Sequence, residues 1–174
     1  MNKVVVYASR YGTSKQYAHE IGKKKNIPVY SSKDFPNNLF DIEEIIYVGA
    51  TYMGKILDLR KFIKKQAALH SKLIIISVGI YSPENLKTYY LIDKKTKSSI
   101  EKTNLILKKV YYLSGKLDIK NLSFKHKFLI NLLYKNTKKK DLIELTKNEL
   151  DIINAYEQTS DFRLSKLEKL MSEL

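Results

Sequence analysis

The chain has no cysteine. That absence excludes disulfides, thiolate catalysis and cysteine-based metal sites, so any redox chemistry must come from a bound cofactor. The chain also has no apolar run reaching the roughly 20 residues that a bilayer-spanning helix needs. The amino terminus enters a strand pattern directly, without a charged leader and apolar signal core, and the expected location is cytoplasmic. Histidine is scarce, and His19, His70 and His126 are too scattered to set up metal-ligand spacing. No metal site is expected. Acidic residues are few as well: 18 against 32 basic ones, a formal net charge of +14.

A chain this basic is drawn to nucleic acid, anionic lipid or acidic protein surfaces. The abundance of Lys, Ile, Asn and Tyr also matches an AT-rich coding bias, which leaves two explanations open for the charge outside residues 116–140. That segment stands apart. It holds eight lysines with Asp118 as its one acidic residue, a net +7 and half the charge of the whole chain. No nucleic-acid recognition motif accompanies it, so sequence-specific nucleic-acid binding is not expected.

Strand and helix patterns alternate along most of the 174 residues, which predicts an α/β fold with a parallel sheet. The expected strands are 3–8, 28–31, 44–50, 72–79 and 109–113. The expected helices are 14–25, 58–70, 96–108 and 141–156. Near-continuous apolar strands such as Leu-Ile-Ile-Ile at 73–76 suit a sheet covered on both faces. Right-handed crossovers then favour the doubly wound five-stranded order 2-1-3-4-5, in which the loops after strands one, three and four meet at the switch point. Residues 1–158 read as one domain. Within it, residues 114–140 read as an inserted segment with a helix at 123–135, one face of which carries Phe128, Leu129, Leu132 and Leu133. Residues 159–174 read as a helical tail whose stripe of Leu164, Leu167, Met171 and Leu174 packs on the domain or on a second copy.

The three convergent loops carry the chemistry. Ser9-Arg10-Tyr11-Gly12-Thr13-Ser14 follows the first strand and opens a helix. It is neither a Gly-x-Gly-x-x-Gly turn nor a nucleoside-triphosphate loop. Its hydroxyls and free backbone N–H groups converge beyond the strand's carboxyl end, where a phosphate monoester can be held, and flavin mononucleotide (FMN) is the ligand that best suits it. The same residues could simply cap a helix and tighten a turn. Ala50-Thr51-Tyr52-Met53-Gly54 follows the third strand, and Ser77-Val78-Gly79, with Tyr81 close behind, ends the fourth.

The first loop resembles the flavodoxin phosphate loop, Ser/Thr-x-x-Gly-x-Thr/Ser, and the second resembles the flavodoxin loop that borders the flavin ring. The resemblance implies that Ser9, Thr13 and Ser14 hold the FMN phosphate. It also implies that Gly12 lets the backbone approach, that Tyr52 stacks on the ring, and that backbone near Gly54 meets the ring's N5 edge. Arg10 either pairs with the phosphate or faces solvent. Tyr81 would flank the other side of the ring. Flavodoxins often place acidic residues there, whereas here Glu84 is the nearest carboxylate. A basic surround should favour the anionic reduced flavin by charge attraction.

Three stretches are similar to the menaquinone-dependent protoporphyrinogen dehydrogenases, a flavodoxin-like branch: residues 47–55, residues 58–63, and Ser114-Gly115-Lys116-Leu117 leading into a basic, aromatic insertion. That resemblance implies an insertion beside the flavin. There Lys116, Lys120, Lys125 and Lys127 would attract substrate carboxylates, and the face bearing Phe128 would meet an anionic membrane and its quinone. An ordinary amphipathic helix covering its own sheet would read the same way. His126 either touches a bound anion or points to solvent. Two functions stay open: an FMN oxidoreductase linked to a quinone, on the inner face of the cell membrane and with the oligomerisation typical of that branch, or a flavodoxin-type electron carrier docking on acidic redox partners.

Overall fold

The computed structural model describes residues 2–36, 39, 41–52, 54–81, 86–157 and 165–174. Its sheet is built from β1 (Lys3–Ala8), β2 (Val29–Ser31), β3 (Glu44–Tyr52), β4 (Lys55–Ile56), β5 (Lys72–Gly79) and β6 (Ile106–Ser114). The order is β2-β1-β3-β5-β6, and β4 pairs antiparallel with the end of β3 as a two-residue extra strand. The five principal strands are parallel and take the order expected of a doubly wound flavodoxin-like sheet.

Successive side chains of a strand point to opposite faces, and the middles of the central strands are continuously apolar, so both faces must be covered. Val4, Val6, Ile45, Tyr47, Leu73 and Ile75 pack beneath α2 (Leu59–Lys65) and α3 (Leu86–Ile100), through Phe62, Ile63, Tyr89, Ile92 and Ile100. Val5, Ile46, Val48, Ile74 and Ile76 face the other way. They pack against Tyr17, Ala18 and Ile21 of α1 (Thr13–Lys25) and against Leu167, Leu170 and Met171 of α6 (Ser165–Met171). The carboxyl-terminal stripe is therefore buried within its own chain, while Leu164 lies outside the described residues.

Several boundaries differ from the sequence expectation. The helix expected over 96–108 is α3, ten residues earlier, and residues 106–108 belong to β6. The buried positions Tyr89, Ile92, Thr96 and Ile100 form its inner stripe at helical spacing. The helix ends where the hydroxyl and the N–H of Thr103 both donate to the carbonyl oxygen of Ile100. The helix expected over 141–156 is shorter, α5 (Lys147–Tyr156), preceded by a 3-10 turn at Leu142–Glu144. A capping box explains the later start: the Glu149 N–H donates to the Thr146 hydroxyl, and the Thr146 N–H donates back to the Glu149 carboxylate. The helix of the insertion, α4 (Phe124–Thr137), lies close to its expected place and packs mainly on α5.

Candidate functional site

The register pairs Ala8 with Gly49, Gly49 with Ser77, and Gly79 with Ser114, so the carboxyl ends of β1, β3, β5 and β6 lie side by side. At the first of these ends the chain turns through Gly12, whose φ of 96° lies in the left-handed region that glycine adopts without strain. The Gly12 N–H donates to the Ser9 hydroxyl at 3.0 Å. A methyl group at Gly12 would meet no atom within 4 Å, so the space above the turn is open to a ligand.

Helix α1 starts immediately afterwards with no side-chain cap and no acidic residue in its first turn. Its leading N–H groups have no intrahelical acceptor, and its positive dipole end points out of the sheet. The hydroxyl of Ser14 sits at that end, 1% exposed and without a hydrogen-bond partner. A buried orphan hydroxyl calls for a ligand. An anion beside the α1 amides would supply the acceptor, and a phosphate monoester fits the set of donors.

The second loop is the β3–β4 hairpin, turned through Gly54 at φ 69°. Ile56 of β4 packs so closely over Gly49 that a side chain there would collide with it. The Thr51 and Ser77 hydroxyls lie 2.5 Å apart and fasten the hairpin to β5. Tyr52 is left 44% exposed at the rim. In the third loop, the carbonyl oxygen of Tyr81 accepts from the Tyr89 hydroxyl at 2.9 Å. The Tyr81 phenol titrates above its ordinary range, first because it is buried and then because the Asp151 carboxylate of α5 is near.

These loops and the insertion enclose a cleft of about 210 Å³. Ser9, Tyr11, Thr13, Ser14, Ala50, Thr51, Tyr52, Val78, Gly79, Tyr81 and Lys116 all line it. Ser77 stands behind the wall, bonded to Thr51, and Gly54 borders a separate groove between α2 and α3. Arg10 is exposed, Gly12 forms the turn itself, and Met53 lies outside the described residues. Lys120, Lys125, Lys127 and Phe128 are exposed and outside the cleft. The expected apolar face of the insertion helix is split: Leu129 and Leu133 line the cleft with Ile130, while Phe128 and Leu132 face outward.

Sequence reasoning missed the roof. Leu117, Leu122, His126, Leu129, Ile130 and Leu133, with Ile152 of α5, close the cleft from above. His126 is a partner rather than a solvated side chain: its Nδ1 lies 2.5 Å from the Tyr11 hydroxyl, and its ring centroid is 4.7 Å from that of Tyr52. The helical spacing of Leu129 and Leu133 is a signal for the roof, but nothing local announces His126. Among the described residues no group of three His, Asp or Glu could hold a metal ion, and no helix is long and apolar enough to cross a membrane.

A doubly wound α/β sheet whose switch-point turn offers hydroxyls and helix amides to a phosphate, with tyrosines on two facing loops, defines a mononucleotide-binding class of protein. The flavodoxin domain family matches residues 4–143, and the chain belongs to that family. Among solved structures, the fold is similar to that of a flavoprotein from Lactobacillus acidophilus in complex with FMN (TM-score 0.53, 10% identity, 64% of this chain and 92% of that one). It is also similar to that of the Trp repressor binding protein from Bacillus subtilis (TM-score 0.50, 14% identity, 66% of this chain and 85% of that one). No curated protein matches the chain.

Proposed function

We propose that the protein binds FMN and acts as a cytoplasmic oxidoreductase in the style of the menaquinone-dependent protoporphyrinogen dehydrogenases. It would take reducing equivalents from an anionic, tetrapyrrole-like substrate and deliver them to a quinone at an anionic membrane. The observation that carries the FMN assignment is the orphan hydroxyl of Ser14 at the bare amino end of α1, in the same cleft as Tyr52 and Tyr81. Bound FMN supplies the hydride and electron chemistry. The chain's own residues hold its phosphate through Ser14, Thr13 and the α1 amides, flank its ring with Tyr52 and Tyr81, and shield it from water with the leucines of α4.

Among the described residues no carboxylate lines the cleft, and Lys116 stands at its wall, so an anionic reactant meets attraction there. The outer side of α4 supports the membrane part of the reading. Phe124 and Phe128, 85% and 63% exposed, follow one another at i and i+4 with Leu132 next in line, and Lys125, Lys127 and Lys135 are exposed around them. Such a face inserts shallowly at an interface while each lysine near anionic headgroups contributes roughly 1 kcal/mol. One observation favours the electron-carrier reading instead: Lys120, Lys125 and Lys127 all point away from the cleft, where acidic redox proteins could dock.

The test is purified protein supplied with FMN, then reduced and offered either a menaquinone analogue or a soluble one-electron acceptor, with and without anionic vesicles. Faster reoxidation by the quinone, together with vesicle binding that is lost in the Phe124→Ser, Phe128→Ser double variant, supports the quinone-linked enzyme. Preference for the one-electron acceptor with no vesicle binding supports the carrier. Protein that takes up no FMN sinks both.

A further inference from the structure

We propose that His126 is a positioning residue of the flavin site, joining the phosphate loop to the ring loop from the inserted helix, and that its neutral form is the one that does so. This rests on the FMN reading above. Three segments far apart in sequence meet at this imidazole. Tyr11 belongs to the β1–α1 turn, Tyr52 to the end of β3, and His126 to the first turns of α4.

The distances favour one arrangement of the protons. The Tyr11 hydroxyl has two acceptors in reach, His126 Nδ1 at 2.5 Å and Ser123 Oγ at 3.5 Å, and the shorter contact takes the phenolic proton, while the Ser123 N–H donates to the phenolic oxygen at 3.4 Å. Nδ1 is then an acceptor, which requires the neutral ring with its proton on Nε2. On the other side, the Tyr52 ring lies against the imidazole at 4.7 Å, tilted by 47°. Aromatic rings in contact stand about 3.5–4 Å apart, so a third ring between two others needs roughly 7 Å. The flavin therefore cannot lie between Tyr52 and His126. His126 instead backs Tyr52 and leaves its remaining face to the ligand.

The charges around the imidazole agree with a neutral ring. Arg10 and Tyr11 face it from the β1–α1 turn and Tyr52 from β3, Lys125 and Lys127 flank it on α4, and among the described residues no carboxylate lines the cleft. Partial burial, and then the Arg10 charge, hold its pKa below the usual histidine value. Protonation would turn the Tyr11 hydroxyl from Nδ1 toward its longer contact with Ser123 Oγ and set a cation beside Arg10, so the brace on Tyr52 loosens in acid.

The test is FMN titration of the flavin-free full chain, followed by quenching of flavin fluorescence from about pH 5 to about pH 8. Wild-type protein, His126→Ala and His126→Phe are compared. The FMN phosphate titrates in the same range, but that contribution is common to all three and cancels in the comparison. The wild type should lose roughly fivefold in affinity toward acid beyond the loss seen in His126→Phe. His126→Phe keeps a ring against Tyr52 but gives Tyr11 no nitrogen acceptor, so at pH 8 it should bind roughly threefold more weakly than the wild type, without the extra acid step. His126→Ala should bind roughly fivefold more weakly at pH 8 and also lack that step. An acid step of equal size in all three proteins, or wild-type affinity in His126→Ala, overturns the proposal while leaving FMN binding intact. A wild type that takes up no FMN overturns it together with the functional reading.

Discussion

The phenol of Tyr17, buried in α1, donates to the carbonyl oxygen of Ser114 at 2.9 Å. The bond ties the phosphate-facing helix to the end of β6, the point from which the insertion departs. Burial raises the phenol's pKa to about 12, so it remains a donor throughout the physiological range. Tyr17→Phe keeps the ring's packing but leaves the Ser114 carbonyl without this donor. The expected loss is about 1–2 kcal/mol of stability, read as a lower urea midpoint with an unchanged slope.

Ser14→Ala separates ligand binding from folding. The hydroxyl has no partner within the protein, so its removal should leave the stability of the flavin-free chain within about 0.5 kcal/mol of the wild type. FMN affinity should fall by about 1.5–3 kcal/mol, the worth of a hydrogen bond to a charged group. Fluorescence titration and chemical denaturation of the same preparation measure the two quantities. Equal losses in both would mean that the hydroxyl serves the fold.

Tyr52→Ala removes the exposed ring at the cleft's rim. Flavin binding should weaken by roughly 1–3 kcal/mol, by analogy with the stacking of bases on aromatic side chains. Unchanged affinity would make Tyr52 a surface residue of the β3–β4 hairpin and nothing more.

The capping box of α5 predicts a pH dependence. Glu149 accepts from Lys140 and from both the backbone and the hydroxyl of Thr146, and these bonds lower its pKa from 4.5 to about 2. The folded state thus holds the carboxylate in its charged form more strongly than the unfolded chain does. The resulting stabilisation is fully present above about pH 4.5 and disappears as the pH falls to about 2. Thermal midpoints of the wild type and Glu149→Gln should therefore differ near neutrality and converge in strong acid. A constant difference across that range would contradict the assignment.

Much of the fold is legible locally. The short apolar run Leu-Ile-Ile-Ile at 73–76, rich in β-branched residues, reads as a buried strand, and the abrupt change at Ser9–Ser14 from strand period to helix period marks the turn where the phosphate donors gather. The helix at 86–100 is harder to read, because its inner stripe begins with tyrosine and threonine among lysines. Its period emerges only once Tyr89 and Ile92 are counted as core. The start of α5 was misplaced because an apolar pair, Leu142 and Ile143, looks like a helix face but is exposed on a 3-10 turn, while the capping box downstream decides the boundary.

What the sequence by itself determined is the parallel sheet, its strand order and the three loops at its switch point. Each follows from short-range periodicity and from the handedness of crossovers. Tertiary structure alone decided what roofs the cleft. The leucines of α4 divide between cleft and solvent according to how the helix rests on α5, and His126 meets a tyrosine 115 residues earlier in the chain. Side chains so distant in sequence are brought together by the packing of whole elements, and no local pattern of residues encodes that contact.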